Sequence, residues 1–225
     1  MDICVLDMLE RYLLVLKCRL YLAGADPNAR NYYTGAVPLF NAITCVQAYP
    51  TFRRVVDLLV AFGADVNAAT TDPDVPIPDV PLRRAIFGRR RHYVELLIYH
   101  GARLDSDKFT TPSLIYVFAT HFGPDWLAKM IIGGLLTLNS RPAGPYLDYF
   151  KSSDPVLFSS IDRILDSHYD SPVSLKLLCR KAIRLRLSGC CFVDKIQSFD
   201  IPECLKSFLL CTDVFEIPRF DPNSS

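Results

Sequence analysis

The sequence predicts an all-α protein, a solenoid of stacked helical repeats followed by a small helical module. Three observations carry this. A hexapeptide, Gly24-Ala25-Asp26-Pro27-Asn28-Ala29, returns as Gly63-Ala64-Asp65-Val66-Asn67-Ala68, with a weaker third copy at Gly101-Ala102-Arg103-Leu104-Asp105. Each copy follows an apolar run with helical spacing, Val15 to Leu22, Val55 to Phe62 and Tyr93 to Tyr99. A further amphipathic run with a proline start lies at 171–187, after a stretch rich in Pro, Gly and Ser.

Each repeated Gly stands where a helix should stop, because glycine enters the left-handed conformation that closes a last turn without a Cβ clash. The Asp and Asn behind it suit a tight turn. Next come Val37-Pro38-Leu39-Phe40, Val80-Pro81-Leu82-Arg83 and Thr111-Pro112-Ser113-Leu114, each opening a short apolar helix with Pro in its first turn. The unit is therefore turn, helix, loop, helix, and the third, Pro81 to Gly101, is the cleanest.

A fourth, degenerate unit is expected from Pro112 through Phe118 and from Pro124 to Ile132, ending at Gly133-Gly134, where the turn lacks Asp and Asn. The first unit starts at Met1 with only Ile3 to Leu14 before its second helix, so the expectation is that a cap or earlier repeats are missing.

These residues resemble the ankyrin repeat, whose T-P-L-H-x-A start is matched by Pro38-Leu39 and Pro81-Leu82 and whose G-A-D-V-N-A close is matched by the two Gly-Ala-Asp boxes. The resemblance implies three to four repeats. Gly24, Gly63 and Gly101 are 39 and 38 residues apart, longer than the family period of about 33. Insertions are expected around Gln47 to Thr51, and in a finger from Thr70 to Asp79 that carries Pro73, Pro76 and Pro78.

Leu138 to Pro155 breaks regular structure and reads as a connection. The expected domains are repeats over 1–137, a connecting segment over 138–170, a helical module over 171–211 and a tail over 212–225. Ser171 is the expected cap and Pro172 the first helical position of a helix running to Leu187. Leu175, Leu178, Cys179, Ala182, Ile183 and Leu187 form one stripe, Leu177 and Leu185 a second ridge, and Lys176, Arg180, Lys181 and Arg184 fall mostly elsewhere. Two apolar faces on one short helix call for two neighbours, one inside the module and one a partner.

Ser174-Leu175-x-x-x-Cys179-x-x-x-Ile183 resembles the elongin-C-binding box, [ST]-L-x-x-x-C-x-x-x-[ILV], that opens a SOCS box, and Leu178-Cys179-Arg180 and Ile183-Arg184 also look like that family. The resemblance makes Ser174, Leu175, Leu178, Cys179 and Ile183 elongin-C contacts, with Leu175 and Cys179 as anchors. Burial of one Leu stabilises by about 1.5–3 kcal/mol.

Downstream, Ile196 to Leu209 resembles the cullin-selecting half, L-P-L-P-x-x-L-K-x-Y-L. Phe199-Asp200 replaces its first Leu-Pro, while Ile201, Pro202, Leu205, Lys206, Phe208 and Leu209 fit. Ile196, Ile201, Pro202 and Leu205 are the implied cullin contacts. The fifth cullin is favoured over the second, although Ile201-Pro202-x-x-Leu205-x-x-x-Leu209 also fits the looser box of the second. Ankyrin repeats followed by such a box resemble the layout of the ankyrin repeat and SOCS box family.

The chain has 25 basic and 24 acidic residues in 225, so no global field gathers nucleic acid, and a nucleic-acid partner is not expected. Half the residues are apolar, no stretch approaches the roughly 18 uninterrupted apolar residues of a membrane span, and the start lacks a basic region before an apolar run. A cytoplasmic protein, with nuclear residence allowed, is expected.

The eight cysteines contain no C-x-x-C pair and the four histidines no zinc-ligand spacing, so neither metal nor cofactor is expected, and Cys190-Cys191 reads as structural. No nucleophile-base pair, paired carboxylates or phosphate-cradling loop is legible, which points away from an enzyme. Arg83, Arg84, Arg89, Arg90, Arg91 and His92 form a basic cluster read as a solvated loop or as bait for an acidic target. Tyr32 and Tyr33 are candidates for target contact or for packing on the adjacent finger. Tyr32, Tyr33, Arg83 and Arg84 are thus the target-binding candidates.

The expected function is that of a substrate adaptor. Its repeats hold a target while the box recruits elongin B/C, a cullin and its RING partner, so that the target is ubiquitinated. The alternative is a non-degradative scaffold or inhibitor with a vestigial box.

Overall fold

The computed structural model of the 225-residue chain describes residues 23–71, 79–103, 112–133, 135, 148, 151–170 and 173–215. The expected helix Val15 to Leu22, the prolines of the finger, Asp105, Gly134, Ser171, Pro172 and the tail beyond 215 lie outside the described residues. Among the described residues the regular structure is helical with no strands, and no helix is long and apolar enough to cross a membrane.

The chain divides into two compact units, one containing residues up to Ala102 together with Gly189–Phe192, the other Arg103–Ser188 together with Val193 onward. In the first, α1 (Pro38–Cys45) and α2 (Tyr49–Ala61) form one pair of consecutive helices, and α3 (Pro81–Phe87) and α4 (Arg91–Tyr99) the next. Besides its own pair partner, α1 packs on α3 and α2 on α4, the stacking expected of repeats that bury one another's faces. Leu39, Ile43, Phe52, Val55, Val56, Leu59, Leu82, Ile86, Leu96 and Leu97 fill the core, with Phe52 stacked on Tyr93 at 3.7 Å between ring centroids.

Helix starts fall at the expected prolines, Pro38 and Pro81. Gly63 and Gly101 close their helices at φ +87° and +92°. Behind each, the next residue's N–H reaches back, from Ala64 to Leu59 O and from Ala102 to Leu97 O at 2.9 Å. This is the glycine-ended helix the boxes predict.

The Asn of each box binds the close of the following unit. Asn28 donates from Nδ2 to Gly63 O at 2.9 Å and accepts from Asp65 N at 2.7 Å, and Asn67 donates to Gly101 O at 3.2 Å. The box is thus a rung between neighbours as well as a turn.

The expected insertion at Gln47 to Thr51 is not a loop. Helix α2 begins at Tyr49, six residues before the periodic run read from the sequence, leaving Val46 to Ala48 as the connection. Pro50 in the first turn starts the helix, and Thr51 and Phe52 are buried. The base of the second expected finger is built, with Thr70 N donating to Asp79 O at 2.8 Å and Asp79 N to Thr70 Oγ1 at 3.0 Å.

The second unit opens with α5 (Pro112–Phe122) and α6 (Pro124–Ile132), the two helices expected of a degenerate fourth unit. Helix α7 (Pro155–Tyr169) packs on both. It lies inside the span read as a connecting segment, although the sequence carries its start. Asp154 caps it by accepting from Leu157 N at 2.9 Å, Pro155 follows, and Ile161 and Leu165 are buried at helical spacing. Helices α8 (Leu175–Leu187), α9 (Phe192–Gln197) and α10 (Glu203–Leu210) follow among the described residues, with α8 packed on α10.

Candidate docking face

Helix α8 begins later than Ser171. Ser174 is its N-cap, with extended backbone and its hydroxyl accepting from Leu177 N at 3.4 Å. Ser174 therefore sets where the helix starts, and so which way Leu175 and Cys179 point.

The helix is oriented contrary to a simple amphipathic reading. Its buried side chains are two arginines, Arg180 and Arg184, while Leu175, Leu178, Cys179, Ala182, Ile183 and Leu185 are exposed. Leu175 is 76% exposed and Arg180 1%. The packed face is thus the one that carries Arg180 and Arg184 rather than an apolar ridge, and Leu185 of the expected second ridge lies on the outer surface.

The inversion works because the buried cations are matched. Arg180 Nη1 donates to Gly133 O at 2.9 Å, its Nη2 donates to the Asp213 carboxylate, and its guanidinium lies 3.7 Å from the centroid of the Phe208 ring. Arg184 Nη1 donates to Leu209 O at 2.6 Å. Gly133 ends α6 and Leu209 lies in the last turn of α10. The arginines therefore place cations on carbonyls that two helices leave unbonded at their C-termini, where the peptide dipoles are negative. Cys211, buried beside them, has its thiol pushed up by desolvation, with Arg184 and Arg180 pulling the other way.

With Arg180 and Arg184 turned in, α8 presents Leu175, Leu178, Cys179 and Ile183 together on one side, bordered by Leu185. These are large or soft apolar groups in water, a contiguous patch of the kind that marks a protein contact.

The second predicted patch is divided. Ile196 is fully buried, so its side chain packs inside rather than facing a partner. Ile201 is half-buried, Pro202 exposed, and Leu205 and Phe199 exposed apolar groups. Pro202 precedes α10, and Lys206 reaches back to Gln197 O at 3.2 Å, tying this helix to α9.

In the repeats, Tyr32 and Tyr33 are 94% and 84% exposed and meet edge to face at 5.4 Å, so they pack on each other. Arg84 is exposed with its guanidinium 5.9 Å from the Phe40 ring, and Arg83 half-buried 5.4 Å from the Phe87 ring. The rest of the basic cluster is largely structural. Arg90 donates to Ile43 O at 3.0 Å, Val46 O at 2.6 Å and Gln47, capping α1, and Arg91 pairs with Glu95 at 2.9 Å. Cys190 and Cys191 are half-buried and direct their thiols to Gly63 O and Val60 O at the end of α2. Among the described residues no group of three or more His, Cys, Asp or Glu could hold a metal ion.

A stack of helix pairs, with a C-terminal module whose first helix turns an apolar face outward, defines a helical-repeat protein with a small helical module at its end. The SOCS box family model matches residues 171–210. Over 158 residues the chain is 28% identical to Ankyrin repeat and SOCS box protein 5 of Mus musculus and of Oryctolagus cuniculus, covering 70% of this chain and 44% of each relative. The Homo sapiens protein of that name is 27% identical over 151 residues, 67% of this chain and 42% of its own length. The chain spans less than half the length of these curated relatives. No solved structure matches it significantly. The chain thus carries a C-terminal segment that matches the SOCS box and is similar, over its repeats and box, to ankyrin repeat and SOCS box proteins.

Proposed function

We propose that the chain is the substrate-recognition adaptor of an elongin B/C–cullin–RING ubiquitin ligase. Its repeats hold a target protein and its SOCS box recruits the ligase, while catalysis lies in the other subunits. The observation that carries this reading is the outward face of α8, where Leu175, Leu178, Cys179 and Ile183 stand exposed on a helix anchored from behind by two buried arginines. A face so exposed fits a receiving pocket on elongin C. Ser174 fixes its register.

The adaptor contributes proximity. Holding a target lysine near a charged ubiquitin carrier replaces a bimolecular encounter by one within a complex, at an effective concentration set by geometry.

Toward the cullin, Ile201, Pro202 and Leu205 are the contacts, and Ile196 supports them from inside. The fifth cullin is the favoured partner over the second, on the Ile201-Pro202 pattern. A cytoplasmic location, with access to the nucleus, suits this role.

The test is co-expression with elongin B/C. A stoichiometric complex is expected, lost in Leu175→Ala with Cys179→Ala. Folded wild-type chain that purifies free of elongin sinks the reading and leaves the scaffold alternative. Titrating the ternary complex with each cullin should give tighter binding to the fifth, weakened by Pro202→Ala; equal or inverted affinities overturn the cullin assignment alone.

A further inference from the structure

Residues 18–107, which contain the repeat helices α1 to α4, hold ten arginines and no lysine. The rest of the chain holds eight lysines and seven arginines, with Lys176, Lys181, Lys195 and Lys206 inside the C-terminal box. A preference of the whole chain for arginine therefore does not account for the gap. Both residues carry the same charge, so the gap has no bearing on the electrostatics of the repeats and concerns only what distinguishes an amine from a guanidinium.

Hydrogen bonding explains part of the choice. Arg90 spreads its guanidinium over Ile43 O, Val46 O and Gln47, and Arg30 Nη1 bridges Gly35 O and Ala69 O. A rigid fork of donors suits such positions better than an ammonium. Arg53 pairs with Asp57 and Arg91 with Glu95, one turn apart on their helices, contacts that a lysine makes as well. Arg54 and Arg89 are exposed, and their guanidinium groups engage no other group among the described residues. Lysine and arginine are also nearly equal as helix formers. At Arg54 and Arg89, neither packing nor propensity gives a reason for arginine.

The two side chains differ most as nucleophiles. Ubiquitin leaves its carrier when a deprotonated lysine ε-amine attacks the thioester carbon. An amide bond forms, the C–S bond breaks, and the carrier's thiolate departs and takes up the amine's proton. A guanidinium stays protonated with its lone pairs delocalised and does not take this step. The repeats belong to the ligase whether or not a target is bound. A lysine on them would meet the carrier at the effective concentration of the complex and draw ubiquitin before any target arrived. Resting on the adaptor reading, we infer that residues 18–107 form a surface without lysine acceptors, so that the recruited ligase modifies the held target and not the repeats that hold it.

The experiment compares the wild type with Arg54→Lys/Arg89→Lys and with Arg54→Gln/Arg89→Gln, a control that removes the same guanidinium groups without adding an amine. Each full chain is assembled with elongin B/C, a cullin and its RING partner, supplied with a ubiquitin-charged carrier, and its adducts are mapped by mass spectrometry. The lysine variant is expected to carry ubiquitin at positions 54 and 89, with total adduct about threefold or more above the wild type and the glutamine control. In cells it should turn over about twofold faster than both or more, a difference removed by a proteasome inhibitor and by adding Leu175→Ala/Cys179→Ala. An assembled ligase that leaves positions 54 and 89 unmodified would overturn the inference alone, because the gap would then spare nothing. Turnover no faster than that of the glutamine control would overturn it too. Wild-type chain that fails to assemble with elongin B/C would instead overturn the adaptor reading, and the inference with it.

Discussion

Arg180 shows how one residue can serve a site without touching a partner. Its guanidinium meets a helix-end carbonyl, a carboxylate and an aromatic ring while fully buried. Removing one member of such a set leaves the others desolvated and unpaired, which is where large losses arise. Arg180→Met is expected to cost about 2–4 kcal/mol, and Asp213→Asn less, because the Asp213 side chain is partly in water. Leu175→Ala removes an exposed side chain and should leave stability within about 0.5 kcal/mol of wild type. Urea denaturation of the three variants checks the order, and an equal loss in Leu175→Ala would contradict the outward placement of that residue.

The same residue marks where the sequence stops being legible. Arg180 lies on a helix whose apolar stripe is plain, and the usual inference sends the cation to water. Its real partners are Asp213, 33 residues on, and Gly133, 47 residues back, and no local pattern joins them. Leu175, Leu178, Cys179 and Ile183 can be read as a set because i, i+3, i+4 and i+8 share a face whatever lies behind it. Ile196 escapes such a reading for the opposite reason, since an apolar residue in a short helix gives no sign of which side is covered.

At the scale of elements, the helices are legible where punctuation is strong. Pro38, Pro81, Pro112 and Pro124 begin helices and Gly63 and Gly101 end them. Helix α7 is harder to see because the Pro- and Gly-rich stretch before it draws the expected connection too far. The two glycines also separate conformation from space. Gly63, at φ +87°, would have nothing within 4 Å of an added Cβ, whereas at Gly101, φ +92°, that atom would meet the Phe192 ring at 2.6 Å. Gly63→Ala should therefore cost about 1–2 kcal/mol for the left-handed conformation alone. Gly101→Ala should cost a further ~1–3 kcal/mol for the displaced ring. Thermal unfolding of the two variants measures the difference, and equal losses would mean that Phe192 gives way freely.

Across the molecule, Gly63, Gly101 and Gly133 each have the carbonyl taken by a side chain from elsewhere, Gly63 by Asn28, Gly101 by Asn67 and Gly133 by Arg180. The last of these bonds comes from α8, so the C-terminal module itself supplies the closing bond of α6. Anchoring and docking are then opposite faces of one helix and separable by experiment. A partner that binds only the folded chain stabilises it by about 2.7 kcal/mol at a hundred times its Kd. For a chain of this size that raises the melting temperature by about 5–10 °C. Excess elongin B/C should produce such a rise in the wild type. Leu175→Ala with Cys179→Ala should melt like the wild type alone and show no rise, because its inner face is intact and its outer face gone. Arg180→Met should melt lower alone and still rise on adding elongin B/C, because the folded fraction keeps the outer face. A rise that disappears in Arg180→Met at saturating elongin would mean that the two faces are not independent and that the buried arginine shapes the docking surface directly.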